Sequence, residues 1–191
     1  MQVTYRNRRF SYAAICACVV ALVVLIERGM GRTAFCRCGV IRLWTADAWG
    51  PENSQQFTDP YTFTHITHGI LLYALLSLLA GRLSVSRRGL LALVVESGWE
   101  LLENTDWVIG RYRAATVALG YYGDTVFNSV GDIAACMVGF VLSAYLPVRA
   151  TIVLVIVLEL GLAVWIRDGL LLNILLLVHP IEAVRSWQLA H

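Results

Sequence analysis

Between Val94 and Asn104 the chain reads VVESGWELLEN, which puts Glu96, Glu100 and Glu103 inside a segment otherwise apolar enough to cross a bilayer. Their i, i+4, i+7 spacing stacks all three on one face of a helix. A carboxylate near the bilayer centre costs about 2.5 to 3.5 kcal/mol on insertion scales, so three on one stripe demand cations, protons or polar groups in a protected cavity. The surroundings point the same way: 58% of the 191 residues are hydrophobic, mean hydropathy is +0.67, and the apolar residues come in long blocks. The expected fold is an all-α, polytopic transmembrane bundle of five or six spans, forming a single domain over residues 1–191.

The expected spans are 10–26, 63–80, 89–107, 124–146 and 151–166, with 169–178 as a half-helix or sixth span and 27–62 as a long outer loop. The first span follows a basic stretch with Arg6, Arg8 and Arg9, as a signal peptide would, but no small-x-small cleavage site precedes Glu27 and further apolar blocks follow. Pro147 ends the fourth span, and Arg167 with Asp168 interrupts the last apolar block. The acid-free clusters Arg6, Arg8, Arg9 and Arg82, Arg87, Arg88 place the N-terminus in the cytoplasm of a bacterial inner-membrane protein. Arg28, Arg32, Arg37, Arg42, Arg111 and Arg113 then fall outside, which opposes that orientation. The 15 basic residues are all arginine and sit at the ends of apolar blocks, so no nucleic-acid-binding face is present. Cys16, Cys18 and Cys136 read as small buried hydrophobes; Cys36 and Cys38, one residue apart, read as an awkward disulfide pair.

Under this topology the intramembrane polar residues converge at one depth. His65 and His68 lie in the first two turns of the second span on one face; Glu103 and Asn104, then Glu100, then Glu96 descend along the third. Asp124, Asn128 and Asp132 share a face of the fourth span, and Glu159, Arg167 and Asp168 fall in the same half. Reversing the orientation moves this layer to the other side without scattering it. By depth, Glu100 and Glu103 rank above Glu96, which lies deeper and supports them.

Imidazoles and carboxylates from neighbouring helices suit a divalent metal such as Zn, Fe or Mn, although the repeated Glu-x-x-His of dimetal bundles is absent. In that reading His65, His68 and Glu100 hold the metal, and Glu103, Glu100 and Asp132 supply catalytic carboxylates. Arg167, Asn104, Asn128 and Asp124 bind substrate, a lipid or envelope molecule with an anionic headgroup met by Arg167. The alternatives are buried ion pairing or helix–helix hydrogen bonding, or a non-enzymatic headgroup-binding, assembly or proton- or solute-conducting protein. Trp44, Trp49, Tyr61, Trp107, Tyr112, Tyr121 and Tyr122 read as an aromatic belt.

The succession VIRLW, PENSQQFTDPYTFTHITHG, ESGWELLEN, YRAATVALGYYGDTVFNSVGD, IRDGLLLN and SWQ resembles an uncharacterised family of alphaproteobacterial multi-pass inner-membrane proteins, over residues 36–188. The resemblance implies an inner-membrane location and supplies no activity. It also implies that the segment 53–64 belongs with His65 and His68. Ser54, Gln55, Gln56, Thr58 and Asp59 directly precede the histidines, and 111–123 precedes Asp124, so both loops are candidates for a lid or headgroup-reading surface.

Overall fold

Side-chain capping sets the start of three helices. In the computed structural model, which describes residues 2–116, 118 and 120–190 and side chains from residue 12 on, the helices are α1 (Gln2–Gly29), α2 (Thr62–Leu79), α3 (Val85–Glu103), α4 (Asp106–Ala115), α5 (Val126–Tyr145), α6 (Val148–Trp165), α7 (Leu170–Val178) and α8 (Glu182–Leu189). No strand occurs among the described residues. Ser84, Thr105 and Thr125 each accept from the backbone N–H three residues on, capping α3, α4 and α5, and Pro147 separates α5 from α6.

Within the described residues, four helices are long and apolar enough to cross a membrane: the part Tyr12–Gly29 of α1, and α2, α5 and α6. The chain is a membrane protein, and its outer surface is built for lipid. On α6, Ile152, Val153, Ile156, Val157, Leu160 and Val164 all point outward, a face that would be a liability in water and is solvated by acyl chains. Helix α5 is the centre. It packs against α2, α3, α1 and α6.

Helices α2 and α5 approach backbone to backbone. A Cβ built on Gly69 would lie 1.8 Å from the Cys136 carbonyl oxygen, and one built on Gly139 would lie 1.9 Å from that of Ile66. Lipid tails are as apolar as leucine, so membrane helices gain by such small-residue contact rather than by hydrophobic burial.

Three segments differ from the sequence expectation: the third expected span, α4 and α8. The helix expected as a third span at 89–107 runs over Val85–Glu103, because Ser84 caps it upstream of Arg87 and Arg88, and it is not among those four apolar helices. Thr105 then starts α4 as a separate helix. The final block divides as expected into α6 and the nine-residue α7, which at about 13 Å is a half-helix rather than a sixth span. The break lies at Arg167, whose φ of 52° puts it in the left-handed region. Helix α8 was not expected. The orientation reading from Arg6, Arg8 and Arg9 rests on side chains outside the described residues.

The loop 30–61 folds over one end of the bundle. Its backbone pairs locally, with Phe57 N–H donating to Arg42 O and Thr45 N–H to Thr58 O, both at 3.1 Å. It is tied to the start of α5 by Thr125 N–H to Ser54 O at 3.1 Å and by Asn128 Nδ2 to Gln56 O at 2.9 Å. Cys36 and Cys38 are joined in a disulfide, with their Cα atoms 5.2 Å apart.

Candidate functional site

Starting α2 at Thr62 places His65 in its first turn and His68 in its second, both directed at α3. Glu96 receives both rings: its Oε1 lies 2.7 Å from His65 Nδ1 and 3.1 Å from His68 Nδ1. His65 also faces Glu100 at 3.4 Å through Nδ1 and Asp132 of α5 at 3.8 Å through Nε2. Asp132 is further held by the Thr62 hydroxyl, which donates to its Oδ1 at 3.3 Å.

Glu100 is the anomaly. It is 0% exposed, and neither carboxylate oxygen has a hydrogen-bond partner. A buried polar group without a partner costs about 1 to 3 kcal/mol, more when charged. Around it, donor atoms of His65, His68 and Glu96, and of His65, Glu100 and Asp132, form two groups whose atoms lie within 4.8 Å of one another. His65 belongs to both.

The histidines, Glu96 and Asp132 open into a cavity of about 810 Å³ that Glu103 and Asp124 also line. Its aromatic wall is Tyr61, Trp99, Tyr112 and Tyr121; its apolar wall is Leu71, Leu72 and Val95, with Leu170 and Ile174 of α7. Of the two segments flagged in the sequence, Ser54 and Gln55 of the first and Ala118, Gly120, Tyr121 and Tyr122 of the second line it, whereas Gln56, Thr58 and Asp59 do not. Tyr112 and Tyr121, read from sequence as aromatic belt, are cavity residues: Tyr121 donates to Asp124 at 3.0 Å, and the two rings stand 5.4 Å apart. Trp107 is 75% exposed, as lipid contact requires.

Not every expected site residue reaches this cavity. Arg167 does not line it; the left-handed turn directs the guanidinium outward, where it donates to Trp187 O at 2.9 Å and sits over the Trp187 ring. Asp168 turns the other way and accepts from the Tyr61 hydroxyl at 2.9 Å. Asn104 lies behind the wall as a fastener. Its Nδ2 donates to Asp124 at 3.1 Å, to Ser129 at 3.2 Å and to Glu27 at 3.4 Å, and its Oδ1 accepts from Asp124 N–H at 2.8 Å. Asn128 anchors the loop through Gln56 O, and Glu159 caps the N-terminus of α7 by accepting from Leu170 and Leu171.

Depth reasoning ranked Glu96 below its neighbours, yet it is the carboxylate that contacts both histidines. The cause is the four-residue shift in the end of α3, about 6 Å along the axis, which brings Glu96 level with His68. Glu27, fully buried against Asn104, was missed because it ends an apolar block and reads as its boundary.

Two carboxyls outside the helices titrate abnormally. Burial raises that of Asp59, against the Ser54 and Tyr61 amides, which hydrogen-bond it. Burial pushes Asp124 up to about 7 from an ordinary 3.8, against the Tyr121 hydroxyl and with the charge of Asp59 adding to the rise. An acid raised by folding contributes stability that is fully present below its unfolded value and is lost as pH rises through the folded one. Metal-free protein in chelator should therefore lose thermal stability between about pH 4 and pH 7, and Asp124→Asn should flatten the profile. A variant profile as steep as the wild type would show that Asp124 does not carry the effect.

The family model described as "Protein of unknown function (DUF2585)" matches residues 27–190. A UPF0314 protein of Paracoccus denitrificans (strain Pd 1222) is 50% identical over 173 residues, covering 90% of this chain and 89% of its own length. The UPF0314 protein R03235 of Rhizobium meliloti (strain 1021) is 48% identical over 183 residues, covering 96% and 93%. One from Novosphingobium aromaticivorans is 48% identical over 171 residues, covering 87% and 86%. No solved structure matches the chain.

Proposed function

We propose, for a chain that belongs to the DUF2585 family of alphaproteobacterial proteins of unknown function, that the buried cluster is a metal centre of an inner-membrane enzyme acting on a lipid or envelope substrate. The observation that carries this is Glu100: a fully buried carboxylate with no hydrogen bond to either oxygen, its Oε1 3.4 Å from the His65 imidazole and a second carboxylate beside it. A bound cation would supply the missing partner. His65, His68 and Glu96 would hold one ion, and His65, Glu100 and Asp132 form the overlapping alternative set; imidazole with carboxylate suits Zn, Fe or Mn. A bound divalent ion supplies Lewis acidity and lowers the pKa of a water. Glu103 and Asp132 line the cavity and serve as proton acceptors, and Asp124, ionising near neutrality, can exchange protons with substrate at the rim.

The membrane arrangement in this reading has five crossings: the four apolar helices plus α3, whose 19 residues span about 28 Å and whose glutamates are shielded by α1, α2 and α5. Helix α7 is then a half-helix. The Cys36–Cys38 disulfide supports a periplasmic face for the loop 30–61, since such bonds persist in that compartment, and so supports a cytoplasmic N-terminus.

Elemental analysis of detergent-purified protein tests the reading. At least one divalent ion per chain is expected, falling about tenfold or more in His65→Ala. Wild-type protein without stoichiometric metal would end it. A second reading rests on His65 standing between Glu96 on Nδ1 and Asp132 on Nε2, an arrangement that also serves a proton relay. Proton flux in proteoliposomes, abolished by His65→Ala without any metal, would favour the relay.

A further inference from the structure

The chemistry of the cavity wall is one-sided. Glu96, Glu103, Asp124 and Asp132 line it, and no arginine does so among the described residues. The arginines near its rim are occupied elsewhere: Arg111 donates to Leu177 O, Arg113 to Tyr121 O, and Arg32 to Tyr122 O and Asp106. An anionic headgroup would meet no arginine there.

Unpartnered acceptors mark the same end. Gln55 is 1% exposed and lines the cavity. Its Nε2 donates to Ser54 O at 2.8 Å and to Gly123 O at 2.9 Å, which fixes the amide orientation, and its Oε1 is left with no partner. Asn53 Oδ1, also at the lining, is buried and unpartnered too. Both are oxygens awaiting a donor. Tyr112, Tyr121 and Trp99 add aromatic faces and hydroxyls beside Glu103 and Asp124, the environment in which an ammonium group is bound by charge and ring quadrupole together.

The two walls also grade from polar to apolar in the same direction. On α3, Glu103, Trp99 and Val95 succeed one another at i−4 spacing on one stripe, about 12 Å from end to end. On α2, Thr64, His68 and Leu72 do the same, running from the outer end inward. Leu71 and Val95 are about half exposed, so the apolar end is open rather than filled by the protein.

We propose that this cavity binds an amphiphile with a protonated amine head, the head received by Glu103, Asp124 and Gln55 at the outer end and the alkyl chain running inward along Leu71, Leu72 and Val95. The assignment deepens the metal-centre reading by naming its substrate class: the groups following the amine would pass His65 and His68 before the chain begins. Binding itself rests on the cavity and needs no metal. The amine can belong to a lipid headgroup or to a simple alkylamine, and the two are separable.

The test is native mass spectrometry of the full-length protein released from detergent, with metal content measured on the same preparation. Equimolar lysophosphatidylethanolamine and lysophosphatidylglycerol of one chain length should give a preference for the former of about tenfold. Dodecylamine should displace it, whereas ethanolamine at the same concentration should not. The paired substitutions Glu103→Gln and Asp124→Asn should erase the preference. Equal or reversed preference in the wild type overturns the amine head, whatever the variants do; displacement by ethanolamine as effective as by dodecylamine overturns the chain. Dodecylamine binding without lysophosphatidylethanolamine binding assigns the site to an alkylamine rather than a phospholipid. Amine preference in metal-free protein leaves this site standing and removes the metal centre, and stoichiometric metal without preference does the reverse.

Discussion

Gly139→Leu is expected to prevent assembly of the bundle, or to destabilise it by about 3 kcal/mol or more, the upper end of what overpacking costs. The Cβ alone would sit 1.9 Å from Ile66 O, 2.8 Å from Ile66 C and 3.1 Å from Ile66 Cα, all backbone atoms with no rotamer to yield. Helix α2 cannot simply move away, because Gly69 makes the reciprocal approach to Cys136 O, and α2 carries both histidines toward Glu96. Monodisperse yield in detergent and thermal unfolding would measure the loss. Gly161→Ala on α6 is the control: nothing lies within 4 Å of its added Cβ, so removing backbone freedom should leave stability unchanged or raise it by about 0.4 to 1 kcal/mol. A Gly139→Leu protein as stable as that control would refute the close α2–α5 contact.

Glu100→Gln should have opposite effects with and without metal. In chelator it removes a potential buried charge from a site where neither oxygen has a partner, and should stabilise the protein by about 1 to 3 kcal/mol. In the wild type, a divalent ion at a thousand times its dissociation constant should add about 4 kcal/mol, and the variant should lose most of that gain. The crossing of the two melting curves, measured with and without added metal, is the expected signature. If the variant were neither stabilised in chelator nor blunted in its metal response, Glu100 would not be the unsatisfied ligand that the metal centre requires.

Much of this was readable in the sequence. Apolar blocks, a stripe of three glutamates and two histidines one turn apart led to a helical membrane bundle with His65, His68, Glu100 and Asp132 at a common depth; His65 does meet Glu100 and Asp132, whereas His68 meets Glu96. Misreadings came where a backbone event carried no compositional mark. Ser84 and Thr105 moved α3 by four residues, enough to exchange the ranking of Glu96 and its neighbours. A single left-handed residue turned Arg167 away from the cavity while sending Asp168 toward Tyr61. The family resemblance, read over residues 36–188, was met by a match over 27–190.

By itself the sequence determined that the chain is all-helical, that it belongs in a membrane, and that its carboxylates lie along one stripe, because helical periodicity and transfer free energy are local properties. Glu96, Glu100 and Glu103 are equivalent on that stripe as far as periodicity can tell. Which of them receives two imidazoles, which is left bare and which faces the cavity was decided only by the tertiary structure. The glycine contacts of α2 with α5 set how far along α3 the histidines reach, and that register belongs to three helices at once.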